Sequence, residues 1–282
     1  MSFLEALFLG IVQGLTEFLP VSSTGHLTIV GKLMGLISTE NPERWTSFIA
    51  VIQLGTLLAI LIYFWKDLWN IFIFFIKDNI IERKKYSLQE INSKMGWLII
   101  LGSIPVTVIG LGFKDAIEGA FTKNLYVIAT SLIVLGIILA LAEKIGKFTR
   151  EMKNLTWIDS LIIGFAQSLA LIPGSSRSGT TITAGIFLGL KRETAARFSF
   201  LLSVPAILGS GLLEFYSSLE YIQIDGLITL TIATITSAIS GYLTIAFLLS
   251  FLKKHSTMVF VYYRISIGIA IFILIGLNII IP

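Results

Sequence analysis

The chain has 282 residues, 55% hydrophobic and 13% charged, with a mean hydropathy of +0.88. Soluble domains carry about 25% charged residues, so this balance excludes an ordinary soluble domain and points to a polytopic membrane protein. Cysteine is absent, which excludes a disulfide framework, a Cys-based metal site and a Cys nucleophile. The formal net charge of +4 reports loop topology rather than nucleic-acid binding.

The start, Met1-Ser2-Phe3-Leu4-Glu5, lacks the basic segment of a signal peptide, and none is expected. Phe3 to Leu36 is apolar but broken by Pro20 and the run Ser22-Ser23-Thr24-Gly25. Proline removes a backbone donor and ends the first limb, and Ser or Thr then caps a second limb. That limb, His26 to Leu36, has about 11 residues, roughly 16 Å of helix, too short to span a bilayer alone. We therefore read Phe3 to Leu36 as a re-entrant helical hairpin. Full spans are expected at Ser47 to Trp65, Met95 to Phe113 and Leu125 to Ala142. Between the first two, Leu68 to Ile81 is apolar but short and is placed at the membrane interface. Trp157 to Leu190 repeats the broken pattern around Pro173 and Gly174, with Thr180 to Leu190 as its short second limb. Three more spans follow at Phe198 to Tyr216, Leu227 to Leu252 and Met258 to Ile281.

Loop charge orients these elements. Lys66, Lys77, Arg83, Lys84, Lys85 and Lys94 make the loop after the first span basic and hence cytoplasmic. Counting crossings onward puts Lys144, Lys147, Arg150 and Lys153 on the same side. If the second broken segment returns to its own side, Lys191, Arg192 and Arg197 follow, and so do Lys253 and Lys254. The segment Ser217 to Gly226, which has no Lys or Arg, then lies outside. A single pass at Trp157 to Leu190 would invert the last three assignments. Each half is thus one hairpin plus three spans, residues 1–142 and 157–282, in one all-α membrane domain. Three is odd, so the halves form an inverted-topology repeat whose hairpins dip in from opposite faces, with both termini outside.

The hairpins echo one another in sequence. Gly10-Ile11-Val12-Gln13 and Pro20-Val21-Ser22-Ser23 recur as Gly164-Phe165-Ala166-Gln167 and Pro173-Gly174-Ser175-Ser176. The first copy ends in Thr24-Gly25-His26, the second in Arg177-Ser178-Gly179-Thr180-Thr181. Ionisable groups at membrane depth are expensive and usually functional. We expect the two loops to meet and share one anionic ligand.

Gln13 and Glu17 are four apart and share a helix face; Glu17 reads as a metal ligand or general base, against a structural hydrogen bond. Ser22, Ser23 and Thr24 taken singly read as caps. His26, three residues after Ser23, suggests a nucleophile and base with a carboxylate as third member. Arg177 needs an anionic partner, and its guanidinium matches phosphate bidentately; the alternative is a buried ion pair with Glu17. The run Gly174-Ser175-Ser176-Arg177-Ser178-Gly179 supplies backbone N–H groups suited to an anion. His255, among Lys253, Lys254 and Ser256, is read as a solvated loop residue.

With these motifs the chain resembles the undecaprenyl pyrophosphate phosphatase family, also called BacA or UppP. The resemblance rests on Gln13-x-x-x-Glu17 and on Pro20-Val21-Ser22-Ser23-Thr24-Gly25-His26. It rests equally on Pro173-Gly174-Ser175-Ser176-Arg177-Ser178-Gly179-Thr180-Thr181, and it extends through Ile52-Gln53-Leu54-Gly55 and the span pattern. It implies removal of the terminal phosphate from the C55 isoprenyl pyrophosphate carrier, with associated bacitracin resistance, in cell-wall lipid recycling. It further implies an outward-facing site in the bacterial plasma membrane and support by magnesium or calcium. Carried onto this chain, it makes Glu17, Ser23, His26 and Arg177 catalytic. Ser22, Thr24, Ser175, Ser176, Arg177, Ser178 and Thr181 would bind phosphate, and Glu17 with Gln13 would bind metal. Many members have Glu where this chain has Gln13, and a neutral amide binds a cation more weakly. Lipids are the expected partners, without nucleic acid, and a homodimer is left open. The competing readings are a transporter or flippase of an anionic isoprenyl lipid, which would need no nucleophile, and a type-2 phosphatidic acid phosphatase. The latter requires a second histidine soon after the arginine, and the next one here is His255.

Overall fold

The structure is a computed structural model describing residues 1–37, 42–113, 124–218 and 226–280. Its described residues form eleven α-helices and no sheet. The first hairpin comprises α1 (Phe3–Phe18) and α2 (Ser23–Leu33). Then come α3 (Pro42–Tyr63), α4 (Trp65–Ile76), α5 (Ile91–Gly112) and α6 (Leu125–Ile145). The second hairpin is α7 (Trp157–Ser168) and α8 (Arg177–Phe187), followed by α9 (Arg192–Ser218), α10 (Leu227–Leu252) and α11 (Met258–Gly276). Helices α3, α5, α6, α9, α10 and α11 each contain a stretch long and apolar enough to cross a membrane, matching the six expected spans.

The short second limbs are confirmed as 11-residue helices, starting three residues earlier than expected. The reason is local. Ser22 and Ser176 are themselves the N-caps, accepting from the N–H of Gly25 and Gly179, so the hydroxyl-rich loops already belong to the first helical turn. The interfacial stretch after α3 is the amphipathic helix α4, which buries none of its residues and ends in a π-helical turn at Lys77–Ile81. Asp78 closes the following loop by accepting from Lys84 Nζ at 3.0 Å and from the Glu90 N–H at 2.7 Å. These contacts hold its carboxyl below the usual range, while the two acidic partners Glu82 and Asp78 push Lys84 up to about 12.

Polar contacts assign the ends of the bundle. Asp67 pairs with Arg197 at 2.7 Å, Glu143 with Arg192 and with the hydroxyl of Thr257, and Lys253 with Glu193 at 3.3 Å. The four basic loops therefore gather at one end, as the charge count requires. The second hairpin begins and finishes there. Arg150 bonds Asp159 at the start of α7 and the Leu188 carbonyl after α8, and Lys191 N donates to the Arg150 carbonyl at 2.9 Å. The first hairpin begins and finishes at the other end. There Ala6 and Leu9 of α1 and Leu27 of α2 pack with Trp45 and Phe48 at the start of α3 and Ala233 near the start of α10.

Each hairpin's first limb lies on a span of the opposite half, α1 on α10 and α7 on α5, while α3 packs on α9 and α6 on α11. The repeated Gly of Gly-x-x-Gln permits this. A Cβ on Gly10 would stand 2.5 Å from the Ala233 carbonyl oxygen, and one on Gly164 would stand 2.2 Å from that of Gly102. Residues 219–225 of the segment placed outside, and the last two of the second repeat, lie outside the described residues.

Candidate active site

The hairpin tips meet inside the bundle. Ser178 Oγ donates to the Leu19 carbonyl at 3.0 Å, joining one tip to the other. Between them is a cavity of about 50 Å³ lined by Glu17, Ser22, Ser23 and Thr24 from the first hairpin and by Gly174, Ser175, Ser176 and Arg177 from the second. Ala170 and Ile172 complete the wall. Both short helices point their N-termini at this space. Their first-turn N–H groups have no acceptor inside the helix, and the helix dipoles add positive potential. An anion is the complementary ligand.

Glu17 is the hub. Its Oε2 accepts from Ser23 Oγ at 2.7 Å and from Gln13 Nε2 at 3.1 Å. Its Oε1 lies 3.3 Å from Arg177 Nη2. The ion pair weighed as an alternative for Arg177 is thus present, but it does not exhaust the guanidinium. Arg177 Nη1 is buried without a protein partner, as is Ser175 Oγ. Both are donors on the cavity wall, and a buried polar group without a partner is costly. A tetrahedral oxyanion group supplies acceptors for both.

Ser178 and Thr181, expected as phosphate ligands, do not line the cavity. Ser178 is the strap to Leu19, and Thr181 Oγ1 bonds the Arg177 carbonyl at 2.7 Å and Ser199 Oγ at 2.5 Å. They brace the loop that carries Arg177. His26 also points elsewhere, with Nδ1 2.7 Å from the Ser22 carbonyl and Nε2 2.8 Å from the Tyr263 hydroxyl. Both ring nitrogens are engaged away from Ser23, and the side chain that accepts from the Ser23 hydroxyl is Glu17.

Among the described residues no group of three or more His, Cys, Asp or Glu is placed to hold a metal ion. A divalent cation at this site would find one carboxylate, Glu17, and one buried acceptor without a partner, Gln13 Oε1. That donor set fits a cation sharing phosphate oxygens with a substrate, the usual binding mode of magnesium, rather than an all-protein cage.

Sequence reasoning missed Arg264. It sits in the apolar run of α11, only 1% exposed. It donates to Pro20 O at 3.3 Å on the first tip and to Ser175 O at 3.0 Å and Gly174 O at 3.5 Å on the second, and also to Leu132 O and Ser131 O. The rule that flagged Glu17 and Arg177, an ionisable residue within an apolar segment, applied equally here.

Residues 6–270 match the protein family described as bacitracin resistance protein BacA. The chain belongs to this family. Relatives support the assignment along the whole length. An undecaprenyl-diphosphatase of Syntrophobacter fumaroxidans is 57% identical over 95% of both chains. One from Prosthecochloris aestuarii is 48% identical over 98% of both, and one from Chlorobium phaeovibrioides 47% over the full length of both. The identity to these relatives runs over nearly the whole chain, as the resemblance in the motifs and the span pattern implied.

Proposed function

We propose that the chain is an isoprenyl diphosphate phosphatase acting on undecaprenyl diphosphate, releasing the monophosphate and inorganic phosphate. The observation that carries the reading is the hydrogen bond from Ser23 Oγ to Glu17 Oε2 at 2.7 Å, beside a guanidinium with one nitrogen unpartnered. A nucleophile paired with a base has no use in a transporter.

In this reading the terminal phosphate enters between the helix N-termini and takes up Arg177 Nη1 and Ser175 Oγ. Ser23 Oγ attacks the phosphorus in line while its proton passes to Glu17. The bond to the bridging oxygen breaks, and the isoprenyl monophosphate leaves with the electron pair. Water then displaces Ser23 from the phosphoserine. Glu17 returns the proton to Oγ, and inorganic phosphate carries the water's oxygen. Arg177 meets the charge spread over the transferring oxygens. A magnesium or calcium ion held by Glu17, the Gln13 carbonyl and phosphate oxygens would neutralise charge on the diphosphate. Arg264 positions both tips through their carbonyls.

We further propose that the two halves are an inverted repeat of re-entrant hairpin and three spans. This is supported by hairpins entering from opposite ends and by the reciprocal packing of α1 on α10 and α7 on α5. The basic end is read as cytoplasmic, which makes this a multi-pass plasma-membrane protein with an outward-facing site. Phosphate release from undecaprenyl diphosphate by purified protein in detergent tests the enzyme reading, because no transport occurs there. A lipid transporter would bind the substrate and release nothing.

A further inference from the structure

Two consecutive residues of α11 grip the hairpin tips in different ways. Arg264 reaches inward to carbonyls of both tips, while Tyr263, 43% exposed, stands beside it and meets only the first. The Tyr263 ring stacks on His26 with centroids 5.6 Å apart and planes 9° from parallel, and its hydroxyl is 2.8 Å from Nε2. The other nitrogen, Nδ1, is 2.7 Å from the Ser22 carbonyl oxygen. A carbonyl only accepts, so Nδ1 carries a hydrogen. In the neutral ring Nε2 is then the acceptor for the tyrosine O–H.

Ser22 is the residue that this chain of contacts restrains. It holds φ 77, a left-handed conformation that a side chain makes costly, and it persists only where its surroundings over-determine it. The next residue is Ser23, whose hydroxyl must stay on Glu17. The side chain of Ser22 is anchored at the Gly25 N–H at 3.3 Å, and its carbonyl is anchored by His26. We infer that Tyr263 is a positioning residue for the reaction at Ser23: its hydroxyl donates to Nε2 and holds the His26 ring in place, so that Nδ1–H stays on the Ser22 carbonyl and keeps the backbone that aims the Ser23 hydroxyl at Glu17. The inference rests on the phosphatase reading for its kinetic consequence but not for the tautomer.

The experiment uses full-length protein in detergent. His26 and His255 are the only histidines, so a His255→Gln background leaves His26 as the single imidazole, and ¹⁵N-labelled histidine reports on that ring alone. The expected spectrum has a protonated Nδ1 and a hydrogen-bonded, unprotonated Nε2. Tyr263→Phe keeps the stacked ring and removes the hydroxyl. The Nε2 resonance should then move to the position of an acceptor without a donor. The kcat on undecaprenyl diphosphate should fall roughly tenfold, the scale of one hydrogen bond, at unchanged KM. An Nε2–H tautomer before any substitution at Tyr263 overturns the proposal, whatever the folding of the variant. It is equally overturned if Tyr263→Phe leaves the Nε2 resonance in place, leaves kcat unaltered, or raises KM alone. If the protein with Tyr263 intact releases no phosphate, the enzyme reading fails, and the spectra still decide whether Tyr263 governs the ring.

Discussion

Ser22 and Ser176, one at each hairpin tip, share a single backbone conformation: φ 77 and ψ 100 in the first, φ 68 and ψ 112 in the second. Each caps its short helix with its own hydroxyl, and each delivers the following residue to the cavity. In the first hairpin that residue is Ser23, and in the second it is Arg177. The two halves reproduce one geometry and diverge in what it presents, a serine hydroxyl bonded to a carboxylate on one side and a guanidinium on the other.

Ser23→Ala should remove nearly all phosphate release if the serine attacks covalently. Rapid quench with substrate labelled in the terminal phosphate should find protein-bound label in the native enzyme and none in the variant. Residual turnover by Ser23→Ala without any bound label would mean that water attacks and that Ser23 only positions a phosphate oxygen.

Arg177→Lys keeps the charge and loses the planar fork. The Nη2 contact to Glu17 and the Nη1 group facing the cavity cannot both be reproduced by one ammonium. A fall in kcat of about 10²-fold or more is expected, the scale of removing one transition-state donor. Turnover close to normal would exclude the guanidinium as a clamp on the transferring phosphoryl.

Glu17→Gln is isosteric but cannot accept the Ser23 proton as a carboxylate does, and it leaves Arg177 without its counter-charge. A loss of about 10²- to 10⁴-fold in kcat is expected. If steady-state assays of Glu17→Gln and His26→Gln gave the reverse order, with the histidine variant the more damaged, the base would be His26 after all.

Chelation should abolish activity, and magnesium or calcium should restore it. The donor set is one carboxylate and one amide carbonyl, so the half-saturating metal concentration should fall as substrate is raised. Gln13→Glu should lower it further by adding a second charge. Full activity in excess chelator would remove the cation from the mechanism.

Because the chain has no native cysteine, single cysteines report topology directly. A cysteine replacing Lys84 should react with an impermeant reagent only from the cytoplasmic side, and one replacing Ser218 only from outside. Outside labelling at the Lys84 position would overturn the reading of the basic end as cytoplasmic.

Gly164→Ala should lower thermal stability, because the new Cβ meets the Gly102 carbonyl oxygen at 2.2 Å and backbone must move. Gly209→Ala, where nothing lies within 4 Å, should be neutral or stabilising through helix propensity. The Tm difference between the two in one detergent measures how tightly α7 is seated on α5.

The residue order by itself determined the spans, because roughly twenty apolar residues are needed to cross a bilayer. It also determined the two broken hairpins, because Pro20 and Pro173 end helices and Ser22 and Ser176 start them. The membership of Glu17, Ser23 and Arg177 in one site was legible for the same reason: polar groups in apolar segments need one another or a ligand. Only the tertiary structure decided how they pair. The distance from Ser23 to Glu17 depends on how the tip turns back after Leu19, and that turn is held by Arg264 from far along the chain and by His26, whose ring is itself held by the equally remote Tyr263. Motif spacing could not reveal that His26 faces Tyr263 rather than Ser23, or that Ser178 and Thr181 brace the loop instead of lining the cavity. Side-chain direction in a first helical turn is set by what packs against that turn, and here the packing comes from α9, α11 and the opposite hairpin.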